Sequence, residues 1–354
     1  MNYPIAKTNT RRLLGPILLA ALCVITVISF FKTGPSQNLI PYTQDLADVM
    51  STECRLVAIM PASTTRAQVD IVLGRAEARL RETEVRMSSY IDYSELARWN
   101  ASGPGQYPLS SSTLQVLNAA QHYYRLTGGC FDVTCRPLIQ LWRQADRENS
   151  LPSPGRLQEA RVQSGWSAIS LTEDAAIKLL STVQLDLGGI AKGYGIDRAV
   201  EELESAGCRG GMVDVGGDLR CFGQGPDGGA WQIGIRHPAE PGKVLARLSI
   251  QEGAVCTSGD YARFFEIQGR RYSHIIDPRT GMPAHNAVSV TVLAPTALAA
   301  DAWATALSVA GIPGLDALPR NMGIEAMVVS GEGGEPEIRM TKGFKARLIK
   351  GPKL

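Results

Sequence analysis

The ten residues Asp186-Leu-Gly-Gly-Ile-Ala-Lys192-Gly-Tyr-Gly195 connect a predicted β-strand, Val183–Leu187, to a predicted amphipathic helix, Ile190–Ala206. Adjacent glycines let a ligand approach the backbone closely, and the free N–H groups and dipole of a helix start attract phosphate. Lys192 adds a positive charge in the first helical turn. The stretch matches neither a Walker A loop nor G-x-G-x-x-G, so a plain strand–helix turn with a solvated lysine stays open as the alternative.

Helices precede this stretch and short strands follow it. Helical spacing of apolar residues marks Thr64–Met87, and a serine cluster and a glycine pair delimit a second helix, Ser110–Leu126. Residues 146–156 are polar and proline-rich and predict a surface loop, whereas Ala297–Ala310 predicts a late helix. The other predicted strands are Arg55–Met60, Gly211–Val215, Trp231–Arg236, Val244–Ile250, Phe264–Ile267, Tyr272–Ile276 and Val288–Leu293. Because strands and helices do not alternate regularly, the predicted class is α+β, with mixed or antiparallel sheets and flanking helices.

The N-terminus predicts export. Leu13–Phe31 is an uncharged run between Arg11-Arg12 and Lys32, about the minimum that spans a bilayer core of roughly 30 Å. Basic residues before the run predict a cytoplasmic N-terminus and a remainder on the periplasmic side of a bacterial inner membrane. No small-x-small cleavage site follows, which favours an uncleaved anchor over a removed signal peptide. Thr10–Leu14 also resembles a twin-arginine signal, and lipidation at Cys23 is disfavoured by Leu22.

The composition of the 354 residues is that of a globular protein, with 44% hydrophobic and 20% charged residues. A formal net charge of only +2 argues against a nucleic-acid partner, because binding many phosphates usually needs a clear basic excess. Six cysteines follow the N-terminal run without a C-x-x-C pair, and four histidines are too few for a zinc site. Disulfides and isolated buried thiols both remain open. The domain prediction is an export signal or anchor at 1–35, a linker at 36–47 and one domain at 48–354.

Three further groups of residues could carry chemistry. Asp301 and Thr305 are four apart in an apolar helix, so both oxygens share one face and suit a hard cation such as Mg²⁺. The alternative is a helix-dipole aspartate with Thr305 bonded to its own helix. His274, in Ser273–Gly281, is either a base near neutral pH or a strand histidine. Gly129-Cys-Phe-Asp132 either contacts a ring system or forms an ordinary helix-ending turn.

In order along the chain, seven segments resemble the motifs of the FAD:protein FMN transferase family, also called the ApbE family. The resemblance covers roughly residues 48–330, and seven motifs in the family's order make a chance match improbable. The segments are Met87–Tyr90 with Ser94-Glu95 and Asn100, Thr127–Asp132, Asp186–Gly193, Asp214–Asp218, Thr257–Asp260, Ser273–Gly281 and Ala300–Thr305.

The resemblance implies a T-fold-like α+β architecture, with room for two subdomains sharing one flavin cleft. It also implies a reaction in which FAD, the substrate, is cleaved at its pyrophosphate. FMN is joined through its phosphate to a Ser or Thr of an acceptor protein with a flavinylation motif, and AMP is released. Mg²⁺ is the implied cofactor, and the implied acceptor is an exported or membrane electron-transfer subunit.

The resemblance also assigns residue roles. Asp301 and Thr305 would ligate Mg²⁺ together with a backbone carbonyl, for which Gly189 is favoured. The implied catalytic residues are Lys192, which with Mg²⁺ offsets charge at the pyrophosphate, Asp301, which holds that Mg²⁺, and His274, which takes the proton from the incoming hydroxyl. The residues implied to hold FAD are Met50, Tyr90, Cys130, Phe131, Asp132, Asp186, Lys192, His274 and Ile275.

The chain departs from the family pattern at a few positions. It has Met50-Ser51-Thr52 where family members usually have Met-Gly-Thr, and a Cβ at position 51 narrows the backbone's approach to the flavin. Cys130 and Cys135 also stand where other small or aliphatic residues are expected.

Two other functions fit the same motifs. An Mg²⁺-dependent FAD pyrophosphatase would use water as the nucleophile and release FMN and AMP. An exported FAD-binding protein would need no metal at the pyrophosphate, so the Asp301/Thr305 pair and Lys192 argue against it. The nucleophile comes from outside the chain, and the sequence therefore does not separate transferase from pyrophosphatase.

Overall fold

The structure, a computed structural model, describes residues 38–259, 264–331 and 337–352. The predicted anchor at residues 13–31 and the motif residue Asp260 lie outside the described residues. The helices are α1 (Arg66–Met87), α2 (Glu95–Ala101), α3 (Ser111–Leu126), α4 (Arg136–Glu148), α5 (Pro154–Val162), α6 (Ala191–Ser205), α7 (Ala297–Ala310) and α8 (Lys342–Ala346). The strands are β1 (Leu39–Val49), β2 (Thr52–Pro61), β3 (Gly105–Pro108), β4 (Ile169–Leu171), β5 (Ala175–Lys178), β6 (Gly210–Val215), β7 (Asp218–Gly223), β8 (Trp231–Arg236), β9 (Val244–Ile250), β10 (Gly253–Gly259), β11 (Phe264–Ile267), β12 (Arg270–Ser273), β13 (Ser289–Ala294), β14 (Glu325–Ser330), β15 (Glu337–Met340) and β16 (Leu348–Lys350).

An eight-stranded sheet with the order β1-β2-β6-β7-β10-β13-β14-β15 lies at the centre of the fold. Every neighbouring pair in this sheet is antiparallel. The smaller sheets, β16-β9-β8, β3-β5-β4 and β11-β12, are antiparallel as well. The predicted α+β class with antiparallel sheets and flanking helices is therefore confirmed.

The two faces of the large sheet carry different layers, because side chains alternate along each strand. On β2, Leu56 and Ala58 pack in the cluster that includes α1, α6 and α7, whereas Val57 and Ile59 pack in the cluster with β8 and β9. The sheet is thus covered by helices on one face and by the small β16-β9-β8 sheet on the other. The residues of the candidate site come mainly from the helical face.

A third apolar cluster joins α4, α5 and the β11–β12 hairpin. Trp142 on α4 is 1% exposed and packs with Phe265 and Ile267. Its indole N–H donates to the carbonyl oxygen of Gly281 at 2.8 Å, which ties α4 to the Ser273–Gly281 segment. Helix α4 also contacts the segments that carry Tyr90 and Asp186, because Arg143 donates to the Tyr90 hydroxyl and Arg136 to the Asp186 carboxylate.

The prediction of a surface loop at residues 146–156 is wrong for most of this range. Helix α4 continues to Glu148 and α5 begins at Pro154, so only residues 149–153 connect the two helices. Pro154 occupies the first turn of α5 and Ser153 caps it, accepting a hydrogen bond from Arg156 N–H. Proline is well tolerated at this position because the N–H it lacks would have no partner there.

Three other segments differ from the predictions. Residues 39–47 of the predicted linker belong to β1, whose polar side chains are accommodated because it is an edge strand paired only with β2. Val183–Leu187 lies outside the sheets, because the Asn100 side chain donates to the Leu185 carbonyl at 2.8 Å and accepts from its N–H at 2.7 Å. The strand predicted at Tyr272–Ile276 ends at Ser273.

The four predicted helices are confirmed as α1, α3, α6 and α7. Helix α1 begins with a capping box in which the side chains and backbones of Thr65 and Gln68 bond reciprocally. The six cysteines of the described residues are free thiols and five of them are buried, so of the two open interpretations these residues show buried thiols. None of the helices in the described ranges is long and apolar enough to cross a membrane.

A glycine at the contact between α6 and α7 generates a stability prediction. A Cβ on Gly193 would stand 2.3 Å from the Ala297 carbonyl oxygen, whereas one on Gly74, within α1, would meet nothing within 4 Å. We expect Gly193→Ala to lower the free energy of unfolding by about 1–3 kcal/mol, because the backbones of α6 and α7 must move apart to make room for the added Cβ. The matched control, Gly74→Ala, should raise it by about 0.5–1 kcal/mol. Denaturant unfolding of both variants measures this, and equal stabilities would contradict it.

Candidate active site

The turn before α6 meets the middle of α7 at Gly189 and Thr305. A Cβ placed on Gly189 would stand 2.8 Å from Thr305 Oγ1 and 3.4 Å from the Phe131 ring. Glycine is therefore required here by close approach to the threonine. Three residues selected from separate sequence motifs come together at this point.

Asp301 lies one helical turn before Thr305 and is 5% exposed. Its Oδ2 accepts a hydrogen bond from Gly193 N–H at 3.1 Å across the contact between α6 and α7. Burial and the nearby Asp218 carboxylate raise the pKa of Asp301 to about 7, although Lys192 acts in the opposite direction. A bound cation would favour the ionised form of such a carboxyl.

Lys192 forms an ion pair with Asp218 at the start of β7. Asp218 is 4% exposed, and its Oδ1 accepts a hydrogen bond from Thr257 N–H at 2.8 Å, which fixes its orientation. Burial disfavours the charged ammonium, but Asp218 and Asp301 outweigh this and hold the pKa of Lys192 above its ordinary value. The ammonium therefore stays charged at neutral pH, one turn from the Gly188-Gly189 pair.

The donors that converge here are a carboxylate at Asp301, a hydroxyl at Thr305 and the backbone of Gly189. Hard oxygen donors of this kind suit Mg²⁺, which commonly keeps several positions for water or substrate phosphate. The described residues contain no cluster of three or more His, Cys, Asp or Glu side chains that could hold a metal ion. A cation in this place would therefore need hydroxyl, backbone or substrate oxygens to complete its coordination.

Asp186 links the glycine turn to the segment that carries Tyr90. Its Oδ1 accepts from Gly188 N–H at 2.9 Å, while its Oδ2 accepts from Ser89 Oγ at 3.2 Å and from Arg136 at 3.4 Å. The carboxylate is thus anchored on three sides and shapes the turn before α6. Tyr90, which follows Ser89, is 66% exposed.

The turn after α3 brings Cys130, Phe131 and Asp132 to the site wall. The Cys130 and Phe131 side chains are buried. Asp132 Oδ1 accepts hydrogen bonds from Thr134 N–H at 2.8 Å and from Thr134 Oγ1 at 2.7 Å. Burial raises the pKa of Asp132 to about 6 even though these bonds favour the charged form.

The remaining predicted residues lie at the ends of two hairpins, β11–β12 and β1–β2. His274 is partly buried after β12, and Ile275 accepts a backbone hydrogen bond from Ala284 N–H at 2.8 Å. The same segment meets the α3 turn, since a Cβ on Gly129 would lie 3.9 Å from Arg279 Cγ. Met50 lies in the β1–β2 turn and packs against the main core.

The departure at Ser51 has a clear backbone consequence. Met50 and Ser51 both have positive φ, 52° and 61°, in the two-residue turn between Val49 and Thr52. Glycine adopts this left-handed conformation without steric cost, whereas a residue with a Cβ does not. The turn nevertheless lies beside the Asp214–Asp218 segment, because Gly216 N–H donates to the Glu53 carbonyl at 2.9 Å.

Sequence reasoning missed Asp197, which positions α7. Its carboxylate accepts from the N–H groups of Ala297 and Leu298 at 2.8 and 2.9 Å and pairs with Arg220 at 3.0 Å. These bonds satisfy N–H groups at the start of the helix that carries Asp301 and Thr305. The sequence feature that could have indicated this role is an aspartate among the apolar residues on one face of the predicted helix.

Together these residues place hard oxygen donors beside a charged lysine at a helix start, in an antiparallel α+β fold, an arrangement suited to a phosphate ester or anhydride. The family model of the ApbE family matches residues 50–328. The chain belongs to the ApbE family.

Individual relatives agree with this assignment. The FAD:protein FMN transferase of Haemophilus influenzae is 37% identical over 246 residues, which cover 66% of this chain and 71% of that protein. The structure is similar to the flavin transferase ApbE from Vibrio cholerae, with a TM-score of 0.76, 30% identity, and 87% of this chain and 100% of that one covered. The apo flavinyl transferase ApbE of Pseudomonas stutzeri has a TM-score of 0.76 and 30% identity, covering 89% of this chain and 98% of that one.

The raised pKa of Asp132 predicts a pH dependence of stability. The unfolded carboxyl has a pKa near 3.8 and the folded one about 6, so the native state binds the proton more tightly. The free energy of unfolding should therefore fall as the pH rises through this window, by at most about 1.4 kcal/mol per pH unit. Asp132→Asn, whose amide oxygen still accepts from Thr134, should remove this contribution.

The measurement is urea unfolding of wild type and Asp132→Asn at pH values from about 4 to about 7, with Asp316→Asn as an exposed control. We expect the difference between wild type and Asp132→Asn to change by about 2 kcal/mol over this range. Parallel stability curves would show that Asp132 does not titrate in this way.

Proposed function

We propose that this chain is an FAD:protein FMN transferase. The main support for this proposal is that the Asp301 carboxylate, the Thr305 hydroxyl and the Gly189 backbone lie beside the Lys192 ammonium in a member of the ApbE family. The curated relatives carry the name of this activity. In the reaction, the oxygen of an acceptor Ser or Thr forms a bond to the FMN phosphorus, the pyrophosphate P–O bond breaks, and AMP leaves.

The residues present fit Mg²⁺, with Asp301 and Thr305 as side-chain ligands and the Gly189 carbonyl as the third protein ligand. When bound, Mg²⁺ supplies Lewis-acid stabilisation of charge on the pyrophosphate. The close contact of Gly189 with Thr305 supports this assignment, because any side chain at position 189 would occupy the space between the donors.

Lys192 holds the charged pyrophosphate at the start of α6. Its ammonium stays protonated because Asp218 and Asp301 surround it, so it can offset negative charge as AMP departs. Displacement at phosphorus depends mainly on such positioning and charge neutralisation. Asp218 does not reach the substrate in this scheme but orients the lysine.

FAD would lie between the two walls of the site. Asp186 with Tyr90 forms one wall, the Cys130-Phe131-Asp132 turn and the His274-Ile275 strand end form the other, and Met50 would touch the flavin from the β1–β2 turn. His274 would take the proton from the incoming hydroxyl.

The FAD pyrophosphatase remains the second candidate, since the same site would act on water if no acceptor hydroxyl occupied it. The acceptor is proposed to be an exported or membrane electron-transfer subunit with a Ser/Thr flavinylation motif. Anchoring of this chain by residues 13–31 on the periplasmic side belongs to the same proposal.

To test this proposal, the full-length chain in detergent is incubated with FAD, Mg²⁺ and an acceptor domain that the Vibrio cholerae relative modifies. Intact-mass spectrometry should show one FMN added to the acceptor. Asp301→Ala should lower the rate at least about a hundredfold, since changes even in the outer shell of a metal site cost about 10–100-fold. Asp316→Ala, a matched change of an exposed aspartate, should leave the rate intact.

The products separate the candidate functions. Free FMN and AMP without an adduct would support the pyrophosphatase, and unchanged bound FAD would support a binding protein. An adduct that persists in Asp301→Ala would contradict the proposed metal site.

The ion pair predicts a role for Asp218 that kinetics can isolate. Asp218→Asn should lower kcat by about 10–100-fold, because Lys192 loses its orienting partner, while the Kd of FAD changes much less. Asp214→Asn is the matched control in the same turn: its side chain accepts from Gly217 N–H at 2.8 Å and lines a small cavity with Arg236. Equal kcat values for the two variants would contradict the positioning role.

A further inference from the structure

A cleft of about 610 Å³ opens between α4 and α5, next to the candidate active site. We call it the arginine cleft, because Arg136, Arg143 and Arg147 from α4 and Arg156 from α5 line it. Glu159 is the only carboxylate among the described residues that line it. The whole chain has a net charge of only +2, so this concentration of positive charge is local.

The spacing along α4 places its three arginines on one side of the helix. Arg143 and Arg147 follow Arg136 by seven and eleven residues, which returns close to the same face. The opposite side carries Leu138, Leu141, Trp142 and Ala145, all buried. The cationic face is therefore an ordered surface, since the helix cannot rotate without exposing its core residues.

Two of the four arginines are paired with carboxylates and two are not. Arg136 pairs with Asp186 at 3.4 Å, and Arg156 pairs with Glu148 at 3.4 Å. Arg143 instead donates to the Tyr90 hydroxyl and stacks on the Tyr90 ring with its guanidinium carbon 4.9 Å from the centroid. Within the described residues no carboxylate pairs with Arg143 or Arg147, although like charges four apart on a helix repel.

The cleft is continuous with the active site. Arg136 contacts Asp186, whose carboxylate shapes the glycine turn, and Tyr90 lines the cleft wall. A protein that brings a Ser or Thr hydroxyl to the glycine turn must extend over neighbouring surface. The arginine cleft is such a surface, and its uncompensated guanidinium groups favour carboxylates, which arginine binds bidentately.

We propose that the arginine cleft docks an acidic segment of the acceptor protein, with Arg147 and Arg156 as its outer contacts and Arg143 deeper in the cleft beside Tyr90. This inference rests on the proposed transferase function and adds the chemistry by which the acceptor is selected. Charge complementarity at the edge of an interface mainly raises the association rate and depends on salt.

The test uses the full-length chain and the acceptor domain modified by the Vibrio cholerae relative, with that relative as positive control. Arg147→Glu combined with Arg156→Glu reverses two exposed charges without touching Lys192, Asp301 or Tyr90. At low salt we expect kcat/KM for the acceptor to fall at least about tenfold, while KM for FAD stays within about twofold. The deficit should shrink as NaCl is raised, because screening weakens the lost attraction.

Two matched variants control for folding and for overall charge. Lys345→Glu combined with Lys350→Glu makes the same charge change at exposed positions on α8 and β16, on the far side of the large sheet, and should leave the acceptor KM unchanged. Acceptor variants in which acidic residues near the modified hydroxyl are changed to Lys should recover activity with the Arg147→Glu/Arg156→Glu enzyme.

The outcomes distinguish this inference from the function on which it rests. If the wild-type chain adds FMN to the acceptor and the Arg147→Glu/Arg156→Glu variant has the same acceptor KM, docking at the cleft is wrong and the transferase stands. A change in KM for FAD with an unchanged acceptor KM would instead assign the cleft to the nucleotide and overturn the inference. If the wild type fails to modify an acceptor that the relative modifies, the proposed function falls and this inference with it.

Discussion

The contact between α6 and α7 is the constraint on which the candidate site depends. Gly193 lets the backbones approach so closely that a Cβ would stand 2.3 Å from the Ala297 carbonyl oxygen. At this distance Asp301 on α7 accepts a hydrogen bond from Gly193 N–H, and Asp197 on α6 caps the start of α7. Two reciprocal carboxylate–backbone contacts thus hold the helices in one register, because each satisfies N–H groups that burial would otherwise leave unpaired.

The charges of the site follow from this packing. Burial disfavours a charged Asp301 and a charged Lys192. For the lysine, Asp218 and Asp301 more than offset this penalty, whereas for Asp301 the Lys192 charge offsets it only in part and Asp218 adds to it. Such a site is electrostatically prepared for a cation and an anionic substrate together, since each added charge meets an opposite one already fixed in place. The hydrogen bond from Thr257 to Asp218 adds rigidity from the large sheet, so the helical face and the strands contribute to the same centre.

Much of the fold could be predicted because local patterns and tertiary packing agreed. Helices α1, α3, α6 and α7 have apolar periodicity together with caps or glycine ends, and they form within a residue or two of the expected bounds. Prediction failed where local pattern was weak or misleading. The edge strand β1 tolerates polar side chains because it pairs only with β2. Helix α5 begins at a proline. Val183–Leu187 is held by hydrogen bonds to an asparagine side chain and does not pair with a neighbouring strand among the described residues.

The sequence by itself determined the fold class, the motifs and the placement of Asp301 and Thr305 on one face of a helix, since a spacing of four on a helix is a local property. The tertiary structure alone decided that Gly189 contacts Thr305, that Asp218 holds Lys192 and that Asp197 caps α7. It also brought Arg136, Arg143 and Arg147 of an unpredicted helix beside Tyr90 and Asp186. These relations join residues far apart in the chain, and their distances depend on how helices and sheet pack, which periodicity and motif spacing do not encode.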